Sequence, residues 1–93
     1  MPSLALQTIP AAGFISIQLG RKPSSLCITN LSARLMRYID QAGYGDAIPP
    51  NYGFKVYSIY LGDDIPANFQ VHGTATDTFT VYYSFGKLSV GDC

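Results

Sequence analysis

From Thr78 to Phe85 the chain alternates without a break. Phe79, Val81, Tyr83 and Phe85 fall on one parity, and Thr78, Thr80, Tyr82 and Ser84 on the other. Successive side chains point to opposite sides only in a strand, so this octapeptide cannot sit in a helix with one clean apolar face. Its aromatic side must be covered while its polar side stays accessible, as in a half-buried antiparallel strand.

The rest of the chain reads in the same period. In Phe14–Leu19, Ile15, Ile17 and Leu19 share a face against Phe14, Ser16 and Gln18. Leu26 and Ile28 share a face in a strand that stops near Asn30. Residues 34–40 carry both periods: Leu31, Leu35 and Ile39 stand at helical spacing, but the stretch is short and flanked by Asn and Gly. A strand is expected there, with Arg34, Met36 and Tyr38 opposite Leu35, Arg37 and Ile39. A short helix is the alternative. Gln41–Asn51 holds two glycines and adjacent prolines, which predicts a long irregular loop. In Tyr52–Leu61, Phe54 and Val56 face one way and Lys55 and Tyr57 the other, with Phe54 and Val56 assigned to the core. Phe69 and Val71 mark a further short strand ending at His72–Gly73.

These elements predict an all-β fold: a single small antiparallel β-sandwich, jelly-roll or Greek-key like, of six to eight short strands. The 93 residues suffice for one domain. It divides into an N-terminal arm or edge strand (1–12), a sandwich (13–86) and a C-terminal tail (87–93). Met1 to Gly13 lacks a basic start and is broken by Pro2 and Pro10, a poor signal peptide, and no run is long enough for a membrane helix.

Composition bears on partners. Every acid is Asp, and six acids balance six bases for zero formal charge, which argues against nucleic acid as a partner. Charged residues are 13% of the chain, about half the usual share. With seven tyrosines, such a surface has little repulsion and favours association.

Catalytic or metal chemistry finds no motif. His72 would need a nucleophile and an orienting acid. Ser84 or Cys27 with Asp77 could be combined, but no pattern links them, and His72 reads as a polar residue at a turn. Asp63–Asp64 is followed at once by Ile65–Pro66, a turn rather than a spaced set of calcium donors. Gly43 and Gly45 lack the third glycine and the helix of a phosphate cradle. No cofactor, metal or catalytic residue is assigned. Cys27, in an apolar run, reads as a buried small hydrophobe rather than as the disulfide partner of Cys93, because no secretory signature is present.

The segments ITNLSARLMRYID, IPPNYGFKVYSI and DDIPANFQVHGTATDTFTVYYSFG resemble small β-sandwich structural proteins of tailed-bacteriophage virions. The most telling phrase runs through Val71, Gly73, Thr74, Ala75, Asp77, Thr78, Phe79, Thr80 and Val81, and the likeness spans residues 26–86. It is a pattern of turns and alternation, with no catalytic signature. It implies a non-enzymatic virion component that decorates or cements the capsid in many symmetric copies, assembled in the host cytoplasm. The partners would be the major capsid protein or other virion proteins, and the chain itself a homo-oligomer.

Adhesion then falls to exposed apolar and tyrosine side chains, since tyrosine gives large contact area at low entropic cost. The candidate interface residues are Leu4 and Leu6 in the arm, Tyr44 in the long loop, and Tyr57 and Tyr82 on strand faces. The alternatives are a neck, tail or fibre component, or a carbohydrate- or receptor-binding module in which Tyr stacks on sugar rings beside Asp and Asn. Tyr and Asp gathered in one concave pocket would favour the glycan.

Overall fold

The computed structural model describes residues 6–86. Eight strands follow in order: β1 (Gln7–Thr8), β2 (Phe14–Gln18), β3 (Ser25–Asn30), β4 (Met36–Ile39), β5 (Gly45–Ile48), β6 (Phe54–Ser58), β7 (Asn68–His72) and β8 (Thr78–Ser84). One 3-10 turn, Ile59–Leu61, follows β6. The strands form two antiparallel sheets, ordered β1-β8-β3-β6 and β2-β7-β4-β5. Strands 1 and 8, 2 and 7, 3 and 6, and 4 and 5 are partners, as if one long hairpin with its tip between β4 and β5 had been rolled up. That is the jelly-roll order, and the chain is a small all-β sandwich.

The core lies between the sheets. From the first sheet come Leu26, Ile28, Phe79 and Val81. From the second come Ile17, Met36, Tyr38, Ile48, Phe69 and Val71, with Ile9 and Ile65 closing the ends. The alternation of β8 places Phe79 and Val81 inside, and residues 36–39 are a strand with Met36 and Tyr38 inward.

Three expectations are corrected. The segment 41–51 is not irregular throughout, for Gly45–Ile48 pairs with β4. Its small residues hid the strand. A Cβ at Gly45 would lie 2.5 Å from Ile39 Cδ1 and 2.8 Å from the Tyr38 carbonyl, so the close pairing requires glycine.

The two faces of β6 are also exchanged. Parity was correct but its sense was not. Leu26 and Ile28 are fully buried, and their cross-strand partners are Tyr57 and Lys55. Opposed residues share a face, so Tyr57 and Lys55 turn inward while Phe54 and Val56 face out.

The third correction concerns Cys27. It is buried, on the outward face of β3 opposite Val56 and Tyr82, but it is disulfide-bonded rather than free. Sequence spacing alone does not reveal such a bond. The chain's other cysteine, Cys93, lies outside the described residues.

Two polar knots hold the ends of the sandwich. Asn30 is fully buried and uses its whole amide: Nδ2 donates to the carbonyls of Arg34 (2.7 Å) and Ile48 (3.1 Å), and Oδ1 accepts from the Ser32 amide and hydroxyl. The bond to Ile48 joins one sheet to the other. At the β7–β8 turn, Asp77 accepts from the Arg34 guanidinium at 2.7 Å and from the Thr74 amide. Ile9 exchanges backbone hydrogen bonds with this turn, donating to Asp77 and accepting from Thr76. Residues 7–9 are therefore stitched into the sandwich.

Candidate functional site

The rolled hairpin leaves β5 and β6 side by side as the open edges of the two sheets. Two features meet on this flank, an apolar ridge and an acidic cleft.

The ridge is the run Tyr52–Leu61. Tyr52, Phe54, Val56, Ile59, Tyr60 and Leu61 are all exposed, Tyr52 and Leu61 by 73% and 77%. Six large apolar side chains within ten residues are far beyond a scattered exposed Leu. Part of the strand edge is blunted: the Ser58 amide donates to Asp63 Oδ2, and the Ser58 carbonyl accepts from the Asp63 amide. Lys55 points inward, another device that protects edges. Phe54 and Val56 keep their side chains in solvent.

Tyr52 leads into this ridge with a positive φ of 67°, after Asn51 at 59°. A bulky residue in the left-handed region is strained. The backbone is held there from the core, since the Tyr52 amide donates to the Asn30 carbonyl and the Asn30 amide to that of Gly53. A Cβ at Gly53 would stand 2.5 Å from the Pro49 carbonyl, so the loop tolerates only glycine at that corner. The result is an aromatic ring fixed outward on a strained but anchored loop.

The cleft, about 280 Å³, is lined by Tyr38, Asp40, Tyr44, Gly45, Asp46, Tyr57, Asp63 and Asp64. The Tyr57 hydroxyl donates to Asp46 Oδ2 at 2.6 Å. The rings of Tyr38 and Tyr57 lie 4.9 Å apart, and those of Tyr38 and Phe69 5.2 Å apart. Asp40 Oδ1 accepts from the amides of Ala42 and Tyr44, shaping the β4–β5 turn that carries Tyr44. Burial, helped by nearby carboxylates, raises the pKa of both Tyr38 and Tyr57 well above the ordinary phenol value. Both stay neutral through physiological pH.

The interface residues expected from sequence do not form one surface. Tyr44 (77% exposed) and Tyr57 meet in the cleft. Leu6 is exposed beside β1, at the opposite edge of the first sheet from β6. Tyr82 faces outward, as its parity predicted, but is partly buried beside Cys27. Leu4 lies outside the described residues. The sequence does not mark the run Ile59–Leu61 or Tyr52 as surface, because apolar side chains in sequence give no sign of being left outside. Sequence alone puts Tyr38 on a strand face and gives no sign of the cleft it lines.

His72 is on the outer face of β7, its Nε2 2.9 Å from Gln70 Oε1 and its ring stacked on Phe14. Ser84 and Cys27 lie on the outer face of the other sheet, and Asp77 is engaged by Arg34. The fold does not bring these four together. Among the described residues no group of carboxylates, His or Cys is arranged to hold a metal ion, and no helix is long and apolar enough to cross a membrane.

Comparison with family models, with curated proteins and with solved structures finds no match to this chain.

Proposed function

We propose that this chain is a non-enzymatic virion structural protein, a capsid decoration or cement protein of a tailed bacteriophage, acting by protein–protein adhesion in multiple symmetric copies. The observation that carries the reading is the ridge Tyr52–Leu61, where six large apolar side chains stand in solvent along one open edge of the sandwich. A chain of this size gains little by exposing them, whereas a partner surface that covers them adds stability in proportion to its affinity. The jelly-roll order agrees with the reading, because viral capsid domains use it. Repetition over a symmetric shell would add avidity to a modest single contact.

The test is attachment. Purified particles from the source should contain the chain by mass spectrometry. Recombinant wild type should sediment with particles stripped of it. Phe54→Lys with Leu61→Lys should keep the circular dichroism of the wild type and stay in the supernatant. Particles that lack the chain, or a double variant that still sediments, would count against the reading.

A glycan- or receptor-binding module is the second reading, favoured by one observation: the fold gathers Tyr38, Tyr44 and Tyr57 with four aspartates in one cleft, and lectin domains also use jelly rolls. A glycan array decides it. Saturable binding lost on Tyr44→Ala would replace adhesion to capsid protein with sugar recognition.

A further inference from the structure

We propose that the cleft between the β5 and β6 edges is a receptor for a single organic cation, the arginine side chain of a protein partner. The inference deepens the adhesive reading, and rests on it only in assigning the arginine to a protein.

Charge is the first argument. Asp40, Asp46, Asp63 and Asp64 all line the cleft. Each commits one oxygen inside the protein: to the Ala42 and Tyr44 amides, to the Tyr57 hydroxyl, to the Ser58 amide, and to Lys22 Nζ. The other oxygen of each has no hydrogen-bond partner among the described residues. Lys22 offsets little, because it and Asp64 form an exposed pair at 3.3 Å. A neutral sugar would leave this charge uncompensated.

The second argument is independent of charge. Tyr38 is 95% buried, being 5% exposed, and its hydroxyl has no hydrogen-bond partner among the described residues. Tyr38 itself lines the cleft, together with Asp40, Asp46 and Asp64. The ring is held by the core while the hydroxyl stays within reach of solvent, so a ligand in the cleft can donate to it in place of water. As a neutral phenol it offers its oxygen to an N–H donor.

Shape and geometry narrow the ligand. The carboxylates are not grouped to bind a metal ion. The volume, about 280 Å³, stands at the lower end of the usual small-molecule range of about 300–1,000 Å³, and has room for one side chain. The walls are tyrosine rings, whose faces attract cations. Guanidinium is planar, stacks on such rings and forks onto carboxylates, which ammonium does not.

The experiment is a titration of the whole chain, followed by two-dimensional ¹H–¹⁵N spectra, with N-acetyl-arginine amide as the probe. Saturable shifts are expected at residues 38–46, 57, 63 and 64, and they should weaken as salt is raised. The neutral isostere N-acetyl-citrulline amide should produce none. Asp46→Asn keeps an acceptor for Tyr57 and should weaken binding about tenfold or more. Asp64→Asn, on an exposed side chain that carries no folding risk, should weaken it as well. Tyr38→Phe should weaken it while leaving the fold unchanged.

No response to the arginine probe, an equal response to citrulline, or a response only to monosaccharides or to calcium would each overturn the proposal. A chain that binds the probe but never attaches to particles removes the adhesive reading and leaves the cleft. A chain that attaches to particles and ignores the probe does the reverse.

Discussion

The hydroxyl of Tyr57, on the edge strand of one sheet, donates at 2.6 Å to the carboxylate of Asp46, on the edge strand of the other. This bond closes the flank of the sandwich where no backbone ladder joins the sheets. It also sets the spacing of the acidic cleft, since both residues line it.

Tyr57→Phe keeps the ring and removes the clamp. It should cost about 1 kcal/mol in urea unfolding, the net worth of a hydrogen bond to a charged group that water partly reaches. The same bond has a pH signature. Tyr38 and Tyr57 have pKa values raised above the ordinary phenol value of 10.0. Groups raised on folding contribute stability that is fully present below the unfolded value and is lost as pH rises beyond it. Stability should therefore fall above pH 10. Absorbance above that pH should show less tyrosinate in the native protein than in the unfolded chain, and the deficit should shrink in Tyr57→Phe. Equal tyrosinate in native and unfolded protein would contradict the burial of these two rings.

Arg34 and Asp77 act at the other end of the pH scale. The Arg34 hydrogen bond holds the Asp77 carboxyl below its ordinary 3.8. A depressed carboxyl contributes stability that is fully present above its unfolded pKa and is lost as pH falls through the folded one. Arg34→Ala should lower the melting temperature at pH 7, because it strands a buried carboxylate, and the gap to wild type should close below pH 3.8. A gap that persists in strong acid would assign Arg34 a packing role instead.

Asn30 permits a sharper contrast. Its amide donates to two carbonyls and accepts twice from Ser32. Asn30→Ala leaves the Ile48 carbonyl on β5 and the Ser32 and Arg34 groups of the β3–β4 loop without this partner, and should cost about 3 kcal/mol or more. Asn30→Asp is nearly the same size but sets a carboxylate against the carbonyls of Arg34 and Ile48. It should be the worse substitution at pH 7 and recover partly in acid. Equal effects of the two at pH 7, read by thermal melts, would mean that the amide's donors are unimportant.

The fold was legible in sequence where one face of a strand is greasy and the other is not. Phe79 and Val81, Ile15 and Ile17, and Leu26 and Ile28 each set their own phase, and the strands around them follow. Legibility failed where the greasier face is the one left outside. In β6, Phe54 and Val56 outrank Lys55 and Tyr57 in hydrophobicity, yet the buried neighbours Leu26 and Ile28 dictate the sense. It failed again at β5, where Gly45, Asp46 and Ala47 alternate too weakly to be read. The site suffered from the same blindness. Tyr44 and Tyr57 were singled out separately, but only the rolled hairpin brings them together with Asp46, Asp63 and Asp64. The polar knot at Asn30 was invisible, because a strand-end asparagine looks the same whether it caps a turn or joins two sheets.

Tyr52 joins stability to function most directly. Its φ of 67° is strained for any residue but glycine, and its ring is largely in solvent, so the fold gains nothing visible from the side chain. Tyr52→Gly should relieve the strain at some entropic cost in the unfolded chain, for a net stabilisation of about 0.5–1 kcal/mol. If the ridge is adhesive, the same change removes one of its anchors and should weaken particle attachment even as the melting temperature rises. A variant that is more stable and attaches as well as wild type would show that Tyr52 is a tolerated misfit, and would shift the adhesive role toward Phe54 and the turn Ile59–Leu61. A variant that is less stable would mean that the ring holds its loop in place, against the exposure seen here. The trade between a relaxed loop and a lost contact is the kind expected at a binding surface, and it separates display of the ring from accident.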